Sequence, residues 1–319
     1  MSRAKELITL LCILTSQNVL AQNAAPVIGI ISQPISHSLD YLSPGGTYIA
    51  ASYVKWIESV GGRVVPLIAG SSQQNHSQLF ESLNGILIPG GGNSIYDSSY
   101  ASLGKEAFEF AKAANERGEY FPIWGTCLGF ELLGLLSIEG QHYLKRCSAS
   151  NIHLPLEFLP EWEQSKIFRE ASDGILDSLS SQNITANFHV WCLTMENFTK
   201  FEMDRFWLPI TISHDEDGVE FISTMEARDY PFYGTQFHPE KNNFEFPAKY
   251  PEIPHSREAV EVSIYFASFF VNDARKSQQT FPTNLELEQN LIYNHKPVFV
   301  GTEEINSGFM QIYIFDKEI

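Results

Sequence analysis

The sequence predicts an α/β fold: a mostly parallel, doubly wound sheet with helices on both faces and an antiparallel extension. Three observations carry this. Short apolar runs without alternation occupy residues 27–32, 63–67, 85–88 and 121–124; helical periodicity fills the gaps; and glycines punctuate the junctions. Strands buried on both faces read as continuous apolar runs, and their alternation with helices implies right-handed crossovers within one parallel sheet.

The first run ends before Pro34. Ile49, Tyr53, Val54, Ile57 and Val60 then recur at helical spacing until Gly61-Gly62 stops the helix. After the strand at 63–67, a brief helix with Leu79, Phe80 and Leu83 leads to the strand at 85–88, which runs into Pro89-Gly90-Gly91-Gly92-Asn93. Leu103, Ala107, Phe110 and Ala114 mark the next helix, closed at Gly118, and the fourth strand delivers Cys127. Beyond Gly140 the strands at 152–156, 206–213, 219–225 and 232–237 have fewer helices between them, as in an antiparallel extension or return of the sheet. A helix through Val260, Ile264, Ala267 and Val271 and a strand at 309–315 follow; with no repeat or linker, residues 22–319 read as one domain.

Residues 1–21 have the layout of a secretory signal peptide: Arg3 and Lys5, an apolar run over 7–14, then Val19-Leu20-Ala21. Sequons at Asn75, Asn183 and Asn197 fit that routing as glycosylation sites. No other stretch is long and apolar enough to span a bilayer, so the expected product is soluble, without a membrane partner, and secreted or delivered to a lysosome-like compartment. The formal charge of -17 becomes -18 once Arg3, Lys5 and Glu6 are set aside, which argues against nucleic acid as a partner. Of four cysteines, Cys12 leaves with the signal peptide, and the odd number remaining leaves at least one thiol free. Cys127 is the candidate. Cys147 and Cys192 are either bridged or buried, and burial as free thiols is the reading preferred here, because sequence does not establish proximity.

The chemistry centres on Phe121-Pro122-Ile123-Trp124-Gly125-Thr126-Cys127-Leu128-Gly129-Phe130-Glu131, a buried strand, a tight glycine turn and a helix start. Such an elbow exposes a nucleophile at the top of a sheet, beside the free N–H groups of a helix N-terminus. Glycines before and after a cysteine serve a strained turn, which a packing cysteine does not require. Downstream, Phe237-His238-Pro239-Glu240 supplies a general base, His238, and a carboxylate, Glu240, to orient it. A pre-formed thiolate and imidazolium pair is expected. Gly90, Gly91 and Gly92, with Leu128, would present backbone N–H groups to the oxyanion; a phosphate-binding loop is disfavoured, since no lysine and hydroxyl pair follows.

Pro-Gly-Gly-Gly-Asn at 89–93, Gly-Thr-Cys-Leu-Gly-Phe-Glu at 125–131, Asn-Phe-His-Val-Trp at 187–191 and Gln-Phe-His-Pro-Glu-Lys at 236–241 together resemble the motifs of the gamma-glutamyl hydrolase family, the folate-polyglutamate hydrolases. The resemblance implies a class I glutamine amidotransferase-like fold and a Cys-His-Glu site. It also implies an omega peptidase that cleaves gamma-glutamyl bonds of folate poly-gamma-glutamates through a thioester, lysosomal and secreted, commonly a homodimer, with no cofactor and no metal. Amidotransferases, which resemble the chain at the elbow, typically carry glutamine at the place of Glu131, here expected to accept a hydrogen bond from the substrate α-nitrogen. His189 matches a histidine of the family and is read as substrate-binding, beside Phe188 and Trp191. Lys241 is the expected cation for the substrate carboxylates, with Lys145 and Arg146 as further candidates. A glutaminase or amidotransferase subunit and a catalytically silent binding protein on the same scaffold are the rival readings.

Overall fold

The computed structural model describes residues 23–35, 37–138 and 142–317, so the signal-peptide reading of residues 1–21 lies outside them. The parallel core is built first: β1 (Val27–Ile31), then β2 (Gln33–Pro34), β3 (Thr47–Ala50), α1 (Ala51–Glu58), β4 (Arg63–Leu67), α2 (His76–Phe80), β5 (Gly85–Ile88), α3 (Ser99–Glu116), β6 (Ile123–Thr126) and α4 (Leu128–Ser137). The second half adds β7 (Lys145–Leu154), β8 (Glu157–Phe158), α5 (Asp173–Ser181), β9 (Thr185–Cys192), α6 (Met195–Lys200), β10 (Trp207–His214), β11 (Glu220–Ala227) and β12 (Phe232–Thr235). The chain then runs through α7 (Lys241–Phe244), α8 (Arg257–Ala274), α9 (Asn284–Asn290), β13 (Pro297–Phe299) and β14 (Gln311–Phe315).

The main sheet has the order β4-β1-β5-β6-β12-β11-β10-β8. Its first five strands are parallel and the last three are added antiparallel, an extension as expected, except that β12, expected in the antiparallel part, runs parallel beside β6. Period-two alternation sends neighbours to opposite faces. On β6, Ile123 joins Phe108, Phe130 and Phe232 on the α3 and α4 side, while Trp124 packs with Trp56, Phe266 and Phe270 on the α1 and α8 side. Both faces are therefore dry, which is why the strands read as unbroken apolar runs. Among the described residues no helix is long and apolar enough to cross a membrane.

Three further expectations change. The helix expected from Ile49 begins only at Ala51, because Thr47–Ala50 is strand β3, paired with β14 more than 250 residues away. The strand expected at 152–156 is the end of the ten-residue β7, which leaves the main sheet and pairs with β9 as a separate two-stranded ribbon. Cys147 and Cys192 on that ribbon form a disulfide, with Cα atoms 5.9 Å apart, rather than two buried thiols. The antiparallel pairing brings residues 45 apart in sequence within bridging reach, a proximity that only the ribbon creates. Cys127 is the free cysteine among the described residues.

Candidate active site

β6 and β12 lie side by side and parallel, with Thr126 opposite Thr235, so the turns that follow them open on one rim of the sheet. Chemistry in such sheets collects there. Cys127 sits at the tip of β6, its N–H donating to the Thr235 carbonyl at 2.8 Å, with φ at +51°. That left-handed backbone costs a non-glycine residue about 1–3 kcal/mol, and it turns the side chain out at the helix start. The elbow also needs Gly129: a Cβ there would run into the Ile88 carbonyl at the end of β5.

His238 lies three residues past β12, fixed by its N–H donating to the Ala186 carbonyl of β9 at 2.9 Å. Its Nδ1 donates to Glu240 Oε1 at 2.8 Å, and both side chains are buried. A methyl group placed on Gly90 would lie 2.5 Å from His238 Cε1 and 3.0 Å from Cys127 Cβ, so thiol, imidazole and glycine loop converge. They line one cavity of about 380 Å³, shared with Phe188, Lys241 and Phe309. With Nδ1 engaged by Glu240, Nε2 is left as the nitrogen for proton exchange.

Burial pushes the Cys127 thiol well above its usual value, helped by the charges of Glu131 and Glu240; the Leu128 N–H on the sulfur and Lys241 act the other way. Burial likewise pulls His238 down, against the attraction of Glu240. Burial thus disfavours the charged forms of both groups and opposes the expected thiolate and imidazolium pair.

Residues 26–240 match the peptidase C26 family model. The chain belongs to this family, that of the gamma-glutamyl hydrolases. It is 42% identical to a gamma-glutamyl hydrolase from Rattus norvegicus over 292 residues, covering 91% of this chain and 90% of that one. The Homo sapiens gamma-glutamyl hydrolase is 40% identical over 91% and 90% of the two chains, and gamma-glutamyl hydrolase 1 of Arabidopsis thaliana is 36% identical over 92% and 84%. Among solved structures, a glutamine amidotransferase from Thermotoga maritima superposes with a TM-score of 0.46 at 14% identity, covering 79% of this chain and 98% of that one.

The other sequence-derived residues of this hydrolase-family chain distribute as follows. Glu131, one turn into α4, is buried and lines a second cavity of about 360 Å³ with Leu128, Tyr96, His142 and Trp191. Burial raises its carboxyl to about 8, opposed by the Gln236 Nε2 bond to Oε1 at 3.1 Å. Lys241 is buried, its ammonium 5.0 Å from the Phe188 ring and 4.7 Å from that of Phe309, and it makes no ion pair among the described residues. Lys145 and Arg146 are exposed on β7, with Arg146 stacked over Trp191.

His189 lies outside both cavities. Its ring packs on Phe221 and touches the disulfide sulfurs, with Nδ1 donating to the Trp191 carbonyl at 3.0 Å. Burial lowers it to about 3, so it is neutral. Phe188 and Trp191 supply the cleft wall instead. The sulfurs and His189 form the metal-ligand-type cluster found among the described residues, and the disulfide occupies both sulfurs.

Sequence reasoning missed three residues. Gln236, two residues before His238 in the turn after β12, fastens Glu131. Gln33 donates through Nε2 to the Gly90 carbonyl. Tyr53, read only as a core position of a helix, places its hydroxyl 3.2 Å from His238 Nδ1. The closeness of 236 to 238 in sequence was a usable signal; nothing local marks Gln33 or Tyr53.

Proposed function

We propose that the protein hydrolyses gamma-glutamyl bonds of folate poly-gamma-glutamates, with Cys127 as nucleophile. The observation that carries this is the meeting of Cys127, His238 and the glycine loop in one cavity, with Glu240 bonded to His238 behind it, in a chain of the gamma-glutamyl hydrolase family. Cys127 Sγ attacks the γ-carbonyl carbon as His238 Nε2 takes its proton, and Glu240 stabilises the imidazolium. The oxyanion is received by the N–H groups of Leu128 and Gly91, since Gly90 N–H is committed to Tyr53. The C–N bond breaks as His238 protonates the departing α-amine. Water, deprotonated by His238, then attacks the thioester and returns the proton and electron pair to sulfur.

Glu131, raised to about 8, carries its proton in neutral and acidic solution. It therefore has a donor as well as an acceptor, like the glutamine of amidotransferases, and serves the α-carboxylate and α-nitrogen of the acyl glutamate. Lys241 is the cation that offsets the acidity of the whole chain, its ammonium held between two rings and in no ion pair among the described residues. Both roles are supported by burial on the cleft walls. His189 holds the β9 wall through the disulfide ribbon rather than touching substrate.

The protein is further proposed to pass through the secretory route to the lysosome or the cell exterior, cut near Gln22. The disulfide suits an oxidising compartment, and Asn75 and Asn183 are exposed as glycan acceptors should be. Asn197 is half-buried and its Nδ2 donates to the Tyr143 carbonyl at 2.7 Å, so it stays unmodified. A homodimer is supported by exposed Val298 and Phe299 on edge strand β13. Incubation with pteroylpentaglutamate and mass analysis of products tests the activity. Shortened pteroylglutamates and released glutamates are expected; ammonia release from free glutamine with an intact pentaglutamate would instead indicate an amidotransferase subunit.

A further inference from the structure

Tyr53 stands on α1 with 1% of its surface exposed, its hydroxyl at the back of the cleft. The oxygen accepts the Gly90 N–H at 2.8 Å and lies 3.2 Å from His238 Nδ1. Nδ1 gives its proton to Glu240 Oε1 at 2.8 Å, so the phenolic oxygen and the carboxylate meet at the same ring nitrogen. On the far side of Gly90, Gln33 Nε2 holds the carbonyl, and Gln33 Oε1 accepts from Asn93 Nδ2 at 3.1 Å.

We infer that Tyr53 is a positioning residue for the hydrolysis: its hydroxyl ties the glycine loop that presents the oxyanion donor to the histidine–carboxylate pair that moves the proton. The inference rests on the activity proposed above. A peptide unit is planar, so fixing the Gly90 carbonyl through Gln33 also fixes the direction of the Gly91 N–H. Fixing the Gly90 N–H through Tyr53 removes that donor from competition and anchors the other side of the same residue. The loop and the imidazole then share one support, and a small misplacement of either would reach the transition state more than the bound substrate. Only glycine admits this contact, since a Cβ at position 90 would lie 2.9 Å from the hydroxyl. Burial, with the charge of Glu240, holds the phenol well above its usual value, so it stays a neutral hydroxyl.

The test is Tyr53→Phe, which removes one oxygen from a packed ring. With pteroylpentaglutamate, kcat is expected to fall by about 10- to 100-fold while KM stays within about threefold. Binding of the uncleaved substrate to Cys127→Ala should be unchanged when Tyr53→Phe is added. A kcat within about threefold of wild type overturns the inference, as does a loss confined to KM and matched by weaker binding in the Cys127→Ala background. If Tyr53→Phe fails to fold, 3-fluorotyrosine at position 53 keeps the ring and hydroxyl but makes the hydroxyl more acidic. A kcat change of about twofold or more, or a displaced pH profile, supports the role; an unchanged rate and profile overturns it. A wild-type protein that leaves the pentaglutamate intact would refute the proposed activity itself, a separate result.

Discussion

Glu131 shows most clearly how one buried side chain couples the site to solution conditions. Its carboxyl stands at about 8 in the folded protein, against 4.5 in an unfolded chain, because burial disfavours its charge. The unfolded state therefore releases this proton at lower pH than the folded state does. Stability contributed by the group is complete below about 4.5 and is lost as pH rises toward 8. Glu131→Gln removes that dependence while keeping the shape. Thermal melts of the two proteins are expected to coincide near pH 4.5 and to separate in favour of the variant by pH 8; equal melting temperatures at both would contradict a neutral, buried acid. The same burial disfavours the Cys127 thiolate, which on the proposed mechanism leaves its ionisation to the moment of attack by way of His238.

At the scale of elements, the elbow and the ribbon divide the work. β6, its turn and α4 present Cys127, and β12, parallel to β6, brings His238 to the same rim, although the sequence placed that strand in the antiparallel extension or return. The β7–β9 ribbon supplies the wall through Phe188 and Trp191. Closing a 45-residue separation, its disulfide restricts the unfolded chain, and Cys147→Ala with Cys192→Ala is expected to lose about 2–4 kcal/mol in denaturant melts. A change below about 0.5 kcal/mol would mean that strand pairing alone holds the ribbon. What was legible here followed from local chemistry: Cys127, His238 and Glu240 lie in short segments whose residue types single them out, and the fold brings them together. The cross-link was not legible, because neither cysteine has a local partner and the bulged register of the ribbon decides which sulfurs meet. β3 was read as helix for the same reason, since its ladder to β14 outweighs the helical spacing of Ile49 and Tyr53. Tyr53 and Gln33 act through atoms more than 30 positions away in sequence, beyond the reach of any periodicity.

Across the whole molecule, a formal charge of -17 faces a polyanionic substrate. On the role proposed for Lys241, the long-range field repels what its local ammonium attracts, and salt screens the first more than the second, because Lys241 is buried. Raising sodium chloride from about 20 to about 200 mM is therefore expected to increase kcat/KM for a pentaglutamate, and to do so more than for a diglutamate. A steady fall with salt would mean that exposed cations such as Lys145 and Arg146 steer the substrate instead. The fold serves this balance by keeping the reactive groups on one rim, where five parallel strands end and the glycine loop, elbow and histidine turn face each other. That convergence is most directly tested by the rate at which wild-type protein and Cys127→Ala release glutamates from pteroylpentaglutamate. Loss of at least about 10⁴-fold in the variant, with its fold intact, is the expected result; retention of more than about a tenth of the wild-type rate would contradict a thiol nucleophile at the tip of β6.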